Sequence, residues 1–505
     1  MRDPAAFAAG GCRIGSLALL LCIAACGTST DADRPGPADQ GAPYAVGSQT
    51  FFIHDDTRPY DSIGGAEDGI RILVTEVWYP VEPAVAASGA YRRATYADYV
   101  FGDRAVHRLM MTRTTFFHLT PESVRDGVTD TDIDGAIDEL FGRERQSYLG
   151  APPATAAGGW PVIVMSHGDA GSRYNMETAC EYLAAHGYVV IAPEHTGNSP
   201  YSQTGRDPAL AGDGGDPALR EAMAGVMSRL SEHGTWGPPE TYGQTYAPSG
   251  SGPDYLRALD SALLQRLGDL RATLNELERM NSSGFGGAAP GWLNLDRIGL
   301  MGRSFGGATT LIGLAMEPRF AAGIAVVPPG WPDLRETLPV DTLVPAGTES
   351  VLLAADGPFP LTQLSKPTLL LSGAEDALII GLSAQLAGAG AGPEPEPGNR
   401  HPTLRQAWLA SDAPVLWALL DDSNHATLGV SGAYWWPALK PDTQRRYFDP
   451  DTEFHLVSPT VAHRVQRELA LAFFDVTIRS QSSARQRLLD NPWAGDGLTL
   501  ESRNF

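Results

Sequence analysis

LMGRSFGGATT, Leu300 to Thr310, is the stretch on which the reading of the whole chain turns. It holds Gly302-Arg303-Ser304-Phe305-Gly306, a G-x-S-x-G pattern that on its own is an ordinary glycine-rich serine turn. Context makes it specific. Arg297 to Met301 (RIGLM) reads as a short buried strand just before it, and Ala308 to Met316 reads as a helix just after it. Strand, tight turn and helix are what a nucleophile elbow requires. Gly302, Gly306 and Gly307 let strand and helix approach closely while the serine takes a strained backbone. Ser304 is therefore the candidate nucleophile.

Working outward, strand and helix signals alternate from Tyr44 onwards. Gly69 to Pro80 alternates apolar and polar residues, as a half-buried strand does. Pro161 to Met165, Tyr188 to Ala192, Arg297 to Met301, Ala321 to Val327, Thr368 to Ser372 and Val415 to Leu420 are short aliphatic runs, the pattern of central parallel strands. Between them, Asp254 to Met280 spaces Leu256, Leu259, Leu263, Leu267, Leu270, Leu274 and Leu277 by threes and fours, one apolar helix face packed on a sheet. Asn175 to His186 and Thr460 to Arg479 are further helices. Strands alternating with helices imply an α/β fold with a doubly wound, mostly parallel sheet. Stretches 84–159, 199–252, 328–365, 381–413 and 428–458 carry little periodicity and read as insertions that shape a lid or rim.

A serine hydroxyl needs a base, itself oriented by an acid. Lys366 to Ile380 ends a buried strand with Gly373-Ala374-Glu375-Asp376, and Val415 to Leu428 ends another with His425. Asp376 is the candidate acid and His425 the candidate base, with Glu375 and Asp333 as rival acids. The oxyanion hole calls for two backbone N–H donors. Phe305 supplies one, and Asp169 in Val164 to Gly171 (VMSHGDAG) supplies the other. His167 in that loop reads as a turn-shaping residue.

With these residues in place, the chain resembles the platelet-activating-factor acetylhydrolase type II and dienelactone-hydrolase-like branch of the α/β hydrolases. The resemblance rests on SHGDAG, on Ala192-Pro193-Glu194-His195, on LDRIGLMGRSFGGAT and on the strand that follows, and extends from about Val46 to Phe474. It implies an α/β-hydrolase fold and a serine ester hydrolase acting through an acyl-enzyme on short-chain or acetyl esters, lipids among them, with no cofactor required. Two departures stand out. Arg303 occupies the place before the nucleophile where the family has His, and Val326-Val327-Pro328 holds no carboxylate where the acetylhydrolases carry their acid. Asp376 then serves from the position used by dienelactone hydrolases. A polyester or cutinase-like hydrolase and a lactonase share this machinery, and a noncatalytic surface-binding lipoprotein is the reading from another class.

The remaining features bound the setting. At 505 residues, 43% of them hydrophobic, the chain has material for one large domain, 46–505. A net charge of -22 makes nucleic acid a poor partner and suits neutral or cationic small molecules. Arg2 and Arg13 precede the apolar run Ile14 to Ala25, a signal-peptide pattern over residues 1–25. Ile23-Ala24-Ala25-Cys26 resembles a bacterial lipobox, which implies a diacylated Cys26, a membrane anchor and export to the outer membrane or cell surface. Thr28 to Pro43 then reads as a flexible tether within 26–45, and Cys180 as a buried apolar side chain. Asp130, Asp132, Asp134 and Asp138 sit in D-x-D-x-D-G spacing, as in a calcium loop, but Phe141 stands where the bidentate Glu belongs. A structural calcium ion and a solvated acidic turn are the two readings. Nothing in the residues sets an oligomeric state.

Overall fold

Aliphatic runs flanked by Gly, Pro or Asp become strands because branched side chains pack on both faces of a pleated surface. The protein is seen here in a computed structural model that describes residues 41–505 apart from 101–103, 106, 109–110, 112–123, 203–206, 233–251, 336, 357–361 and 363. The expected signal peptide, Cys26 and most of the expected tether lie outside the described residues. The strands are β1 (Ala45–Asp55), β2 (Arg71–Val81), β3 (Arg93–Thr95), β4 (Glu144–Leu149), β5 (Trp160–Ser166), β6 (Val189–Pro193), β7 (Leu293–Arg303), β8 (Phe320–Val326), β9 (Thr368–Gly373), β10 (Val415–Leu420), β11 (Gln444–Arg445), β12 (Glu453–Phe454) and β13 (Leu498–Arg503). Eleven of them form one sheet in the order β13-β10-β9-β8-β7-β5-β6-β2-β1-β4-β3, and β11 pairs with β12 separately.

From β10 across to β6 the six neighbours run parallel, so their carboxyl ends share one edge. Ser166 pairs with Gly302 and Arg303 with Val326 along that edge, while Gly373 pairs with Leu420. The turns that follow β5, β7, β9 and β10 therefore meet above it. Antiparallel β2 and β1 extend one side and antiparallel β13 the other. Helix Gly252–Ser283 lays Leu259, Leu263, Leu267, Leu270, Leu274 and Leu277 against the sheet, all buried. Each such leucine contributes roughly 1.5–3 kcal/mol by leaving water. The α/β-hydrolase fold expected of the residues is the fold observed.

Several local expectations change. β2 is buried along its whole length instead of on one face. Its polar positions are paired inside the protein: Arg71 with Asp269, and Glu76 with Thr50 and Arg145. Stretch 84–159 is no bare insertion, since β3 and β4 extend the sheet and helix Asp130–Gly142 packs beside them. Helices Pro217–Glu232, Ala377–Gly388 and Pro402–Ala410 likewise occupy stretches that lacked a clear period.

The stretch with calcium-loop spacing is helical. Asp130, Asp132, Asp134 and Asp138 lie in a regular helix, where alternate carboxylates diverge around the axis. Asp132 closes a capping box with Thr129, and Asp134 and Asp138 pair with Arg108. Among the described residues no group of three His, Cys, Asp or Glu side chains is placed to hold a metal ion, and no helix is long and apolar enough to cross a membrane.

Candidate active site

Ser304 stands between β7 and helix Phe305–Met316 at φ 58 and ψ -123, a backbone conformation that L-residues rarely adopt. The surrounding glycines are a steric requirement. A Cβ on Gly302 would fall 2.1 Å from the Gly306 carbonyl oxygen, and one on Gly306 would fall 2.1 Å from the Ser166 carbonyl oxygen. The turn can therefore form only where strand and helix carry no side chain.

The partners arrive from two other strand ends. Asp376 follows β9 and caps helix Ala377–Gly388, accepting the Ile379 N–H on Oδ1 at 3.2 Å. Its Oδ2 lies 2.8 Å from His425 Nδ1, and His425 Nε2 lies 2.9 Å from Ser304 Oγ. Because an ionised carboxylate only accepts, Nδ1 carries the proton, which leaves Nε2 to accept from the serine hydroxyl. The His425 turn after β10 is fixed by Asn424, whose Oδ1 accepts from the Ala426 and Thr427 amides at 3.1 and 3.2 Å. Asp376 is wholly buried. Burial pushes its carboxyl up, but the charge and hydrogen bond of His425, with the nearby His401 and the Ile379 amide, outweigh that and hold it below the ordinary carboxylate range.

The loop after β5 completes the group. A Cβ on Gly168 would stand 3.2 Å from Ser304 Cβ, so the loop carrying Asp169 passes directly beside the nucleophile. Phe305 is the first residue of its helix, where an amide has no acceptor within the helix. Gly168, Asp169, Arg303 and His425 line one cleft, walled by Tyr174 and Trp435.

A parallel sheet whose carboxyl edge carries a strained serine, then a carboxylate, then a histidine in chain order is decisive for the fold family. This chain has the α/β-hydrolase fold. Residues 136–211 match the family model of platelet-activating factor acetylhydrolase, isoform II, a stretch that includes SHGDAG and APEH but ends before Ser304. Over that stretch the chain is similar to the acetylhydrolase family. A solved structure of a ferulic acid esterase from Streptomyces cinnamoneus is similar over 92% of this chain and 98% of that chain, with a TM-score of 0.51 and 21% sequence identity.

The rival acids are engaged elsewhere. Glu375 accepts from Arg400 and Arg446 at 3.0 Å each and from the Tyr447 amide at 2.9 Å. Asp333 pairs with Arg335 near the surface. His167, expected to shape its loop, is buried, with Nδ1 2.7 Å from the Gly168 oxygen and Nε2 accepting the His195 amide at 3.0 Å.

Two supports of the loop after β5 were not singled out from the sequence. Arg266 donates to the carbonyls of His167 at 2.7 Å and Gly168 at 3.1 Å, and its guanidinium lies 4.6 Å from the Phe305 ring centre. Asn198 donates to Asp169 Oδ1 at 2.8 Å. The available signal was an arginine set between Leu263 and Leu267 on an apolar helix face, where a cation must find acceptors. Beneath them lies a second serine-histidine-aspartate chain: Ser166 Oγ is 2.8 Å from His195 Nε2, and His195 Nδ1 is 2.9 Å from Asp269. All three side chains are fully buried, and Asp269 is bound by Arg71 and Arg58, so this chain braces the strands under the site.

Proposed function

We propose that this α/β hydrolase is a serine carboxylic-ester hydrolase that works through an acyl-enzyme on short-chain or acetyl esters, lipid esters among them. The coarse part, hydrolysis of esters, is supported by both relatives, whose names denote an acetylhydrolase and an esterase. The observation that carries the rest is the unbroken path Ser304 Oγ, His425, Asp376, with 2.9 and 2.8 Å steps.

In this reading His425 Nε2 takes the hydroxyl proton as Ser304 Oγ attacks the ester carbonyl carbon. Asp376 keeps the imidazole in the required tautomer and stabilises its positive charge. The amides of Phe305 and Asp169 bind the oxyanion of the tetrahedral intermediate. His425 returns the proton to the departing alcohol, then takes one from water, whose oxygen attacks the acyl carbon and frees Ser304. The low carboxyl of Asp376 supports this role, because a carboxylate that stays ionised can hold the imidazolium throughout the cycle.

Export and anchoring through a lipid on Cys26 form part of the same proposal, resting on the apolar run that ends in Ala24-Ala25-Cys26. Replacing Cys26 with Ala is expected to move the protein from the membrane to the soluble fraction; unchanged membrane association contradicts the anchor. For the chemistry, a fluorophosphonate probe is expected to label the wild-type protein at Ser304. Absence of labelling supports a noncatalytic surface protein.

A further inference from the structure

Arg303 sits beside the nucleophile and lines the cleft, yet it is only 7% exposed. One donor is used: Nη2 bonds the backbone oxygen of His425. Among the described residues no carboxylate lies within ion-pair distance of the guanidinium, and Nε has no hydrogen-bond partner. Four arginines more deeply buried than Arg303 differ in setting. Arg71, Arg145 and Arg173 each meet an acidic side chain, while Arg266 meets a run of carbonyls. Room is made for the Arg303 group, since a Cβ on Gly429 would fall 2.9 Å from its Nε.

Burial pushes the guanidinium down to about 10, with Asp376 opposing the fall, so the group stays charged at neutral pH. A buried cation with no carboxylate in contact is costly, and an anion that enters beside it is correspondingly well bound. The place for such an anion is the cleft that Gly168 and Arg303 line. A Cβ on Gly168 would lie 3.7 Å from Arg303 Nη1 and 3.2 Å from Ser304 Cβ, so cation and nucleophile both stand against Gly168. Asp169, the acidic group on the same wall, has one oxygen occupied by Asn198.

We infer that Arg303 is a specificity residue for esters that carry a carboxylate a short spacer from the scissile carbonyl. The inference rests on Ser304 being the nucleophile. Two placements of the anion share this chemistry, on the acyl part as in a half-ester of a dicarboxylic acid, or on the alcohol part. Arg303 is not asked to take part in bond breaking; it holds the substrate's carboxylate while Ser304 attacks.

The test compares matched esters on the full chain. p-Nitrophenyl hemiglutarate is set against the p-nitrophenyl ester of monomethyl glutarate, and 3-carboxyphenyl butyrate against its 3-carbamoylphenyl counterpart. The wild-type protein is expected to favour the carboxylate member of one pair by 10-fold or more in kcat/KM, chiefly through KM, and the pair that responds identifies the placement. Arg303→Met is expected to abolish that ratio and Arg303→Lys to keep part of it. A loss acting only through the His425 carbonyl lowers both members together and leaves the ratio unchanged, which overturns the inference, as does a wild-type ratio near one. Should Arg303→Met fail to fold, competition decides: glutarate, but not glutaramide, is expected to inhibit neutral-ester hydrolysis by the wild-type protein, and equal inhibition overturns it. If the wild-type protein hydrolyses neither member, the serine-hydrolase reading itself falls and this inference falls with it.

Discussion

Asp376 stands 2.8 Å from His425 while its other carboxylate oxygen caps the helix that begins at Ala377. The acid is thus aimed by the start of a helix, and its neighbour Glu375 is held by Arg400 and Arg446 on the far side of the turn. Replacing Asp376 with Asn preserves an acceptor for the cap but favours the wrong imidazole tautomer, so kcat is expected to fall by roughly 10⁴, as in other serine triads. Glu375→Gln is expected to cost less than about tenfold, because a buried hydrogen bond is weakened and no proton carrier is lost. Steady-state kinetics on one p-nitrophenyl ester separates them, and the reverse ranking makes Glu375 the acid.

The nucleophile turn has no room for a methyl group. In Gly306→Ala the new Cβ would lie 2.1 Å from a backbone oxygen of β5, which cannot move without disturbing the centre of the sheet. Destabilisation of about 3 kcal/mol or more is expected, with loss of activity. A thermal melt close to that of the wild type argues against the turn as described.

Gly135 provides the opposite case. It lies exposed in helix Asp130–Gly142, and a Cβ added there would meet nothing within 4 Å. Gly135→Ala is therefore expected to stabilise the protein by up to about 1 kcal/mol, the usual gain in a helix interior. A calcium loop demands the opposite sign, since its glycine makes a turn that alanine resists. A fall in melting temperature, with calcium restoring it, revives the loop reading.

Acid behaviour follows from the buried histidines. Burial lowers His107 and His195 to about 3 and His463 to about 4, and neighbouring arginines add to the effect. These folded values lie below the unfolded value near 6.5, so each group binds its proton more readily once unfolded. Each therefore contributes stability that is fully present above about pH 6.5 and is lost as pH falls from there towards the folded value. Imidazole nitrogen NMR is expected to show all three neutral in the folded protein at pH 5. A midpoint near 6.5 for any of them rejects its placement.

The six parallel strands were legible because each is an aliphatic run closed by a turn residue, and the helix Gly252–Ser283 because its leucines keep one face. β4 was hidden by its charges. Its Arg145 lies buried between Glu76 and Glu181, a pairing that no local pattern of hydrophobicity reports. β2 misled in the same way, since buried partners for Arg71 and Glu76 make a two-sided strand look one-sided. In the site, Ser304, Asp376 and His425 could be found from chain order and strand ends. Arg266 left only the trace of a cation on an apolar helix face and Asn198 none, because their value lies in long-range bonds to a loop that is distant in sequence. The setting of Arg303 was equally out of reach, as only the folded chain shows that no carboxylate among the described residues comes within ion-pair distance of it.

The central claim is that Ser304 attacks the ester carbonyl. Its most direct test is p-nitrophenyl butyrate hydrolysis by Ser304→Ala, checked for an unchanged fold by circular dichroism. Loss of a single hydroxyl from a wild-type-like structure is expected to lower kcat by roughly 10⁴ to 10⁶, to the residue of catalysis that binding and the oxyanion hole provide. Wild-type turnover by the alanine variant would contradict the account.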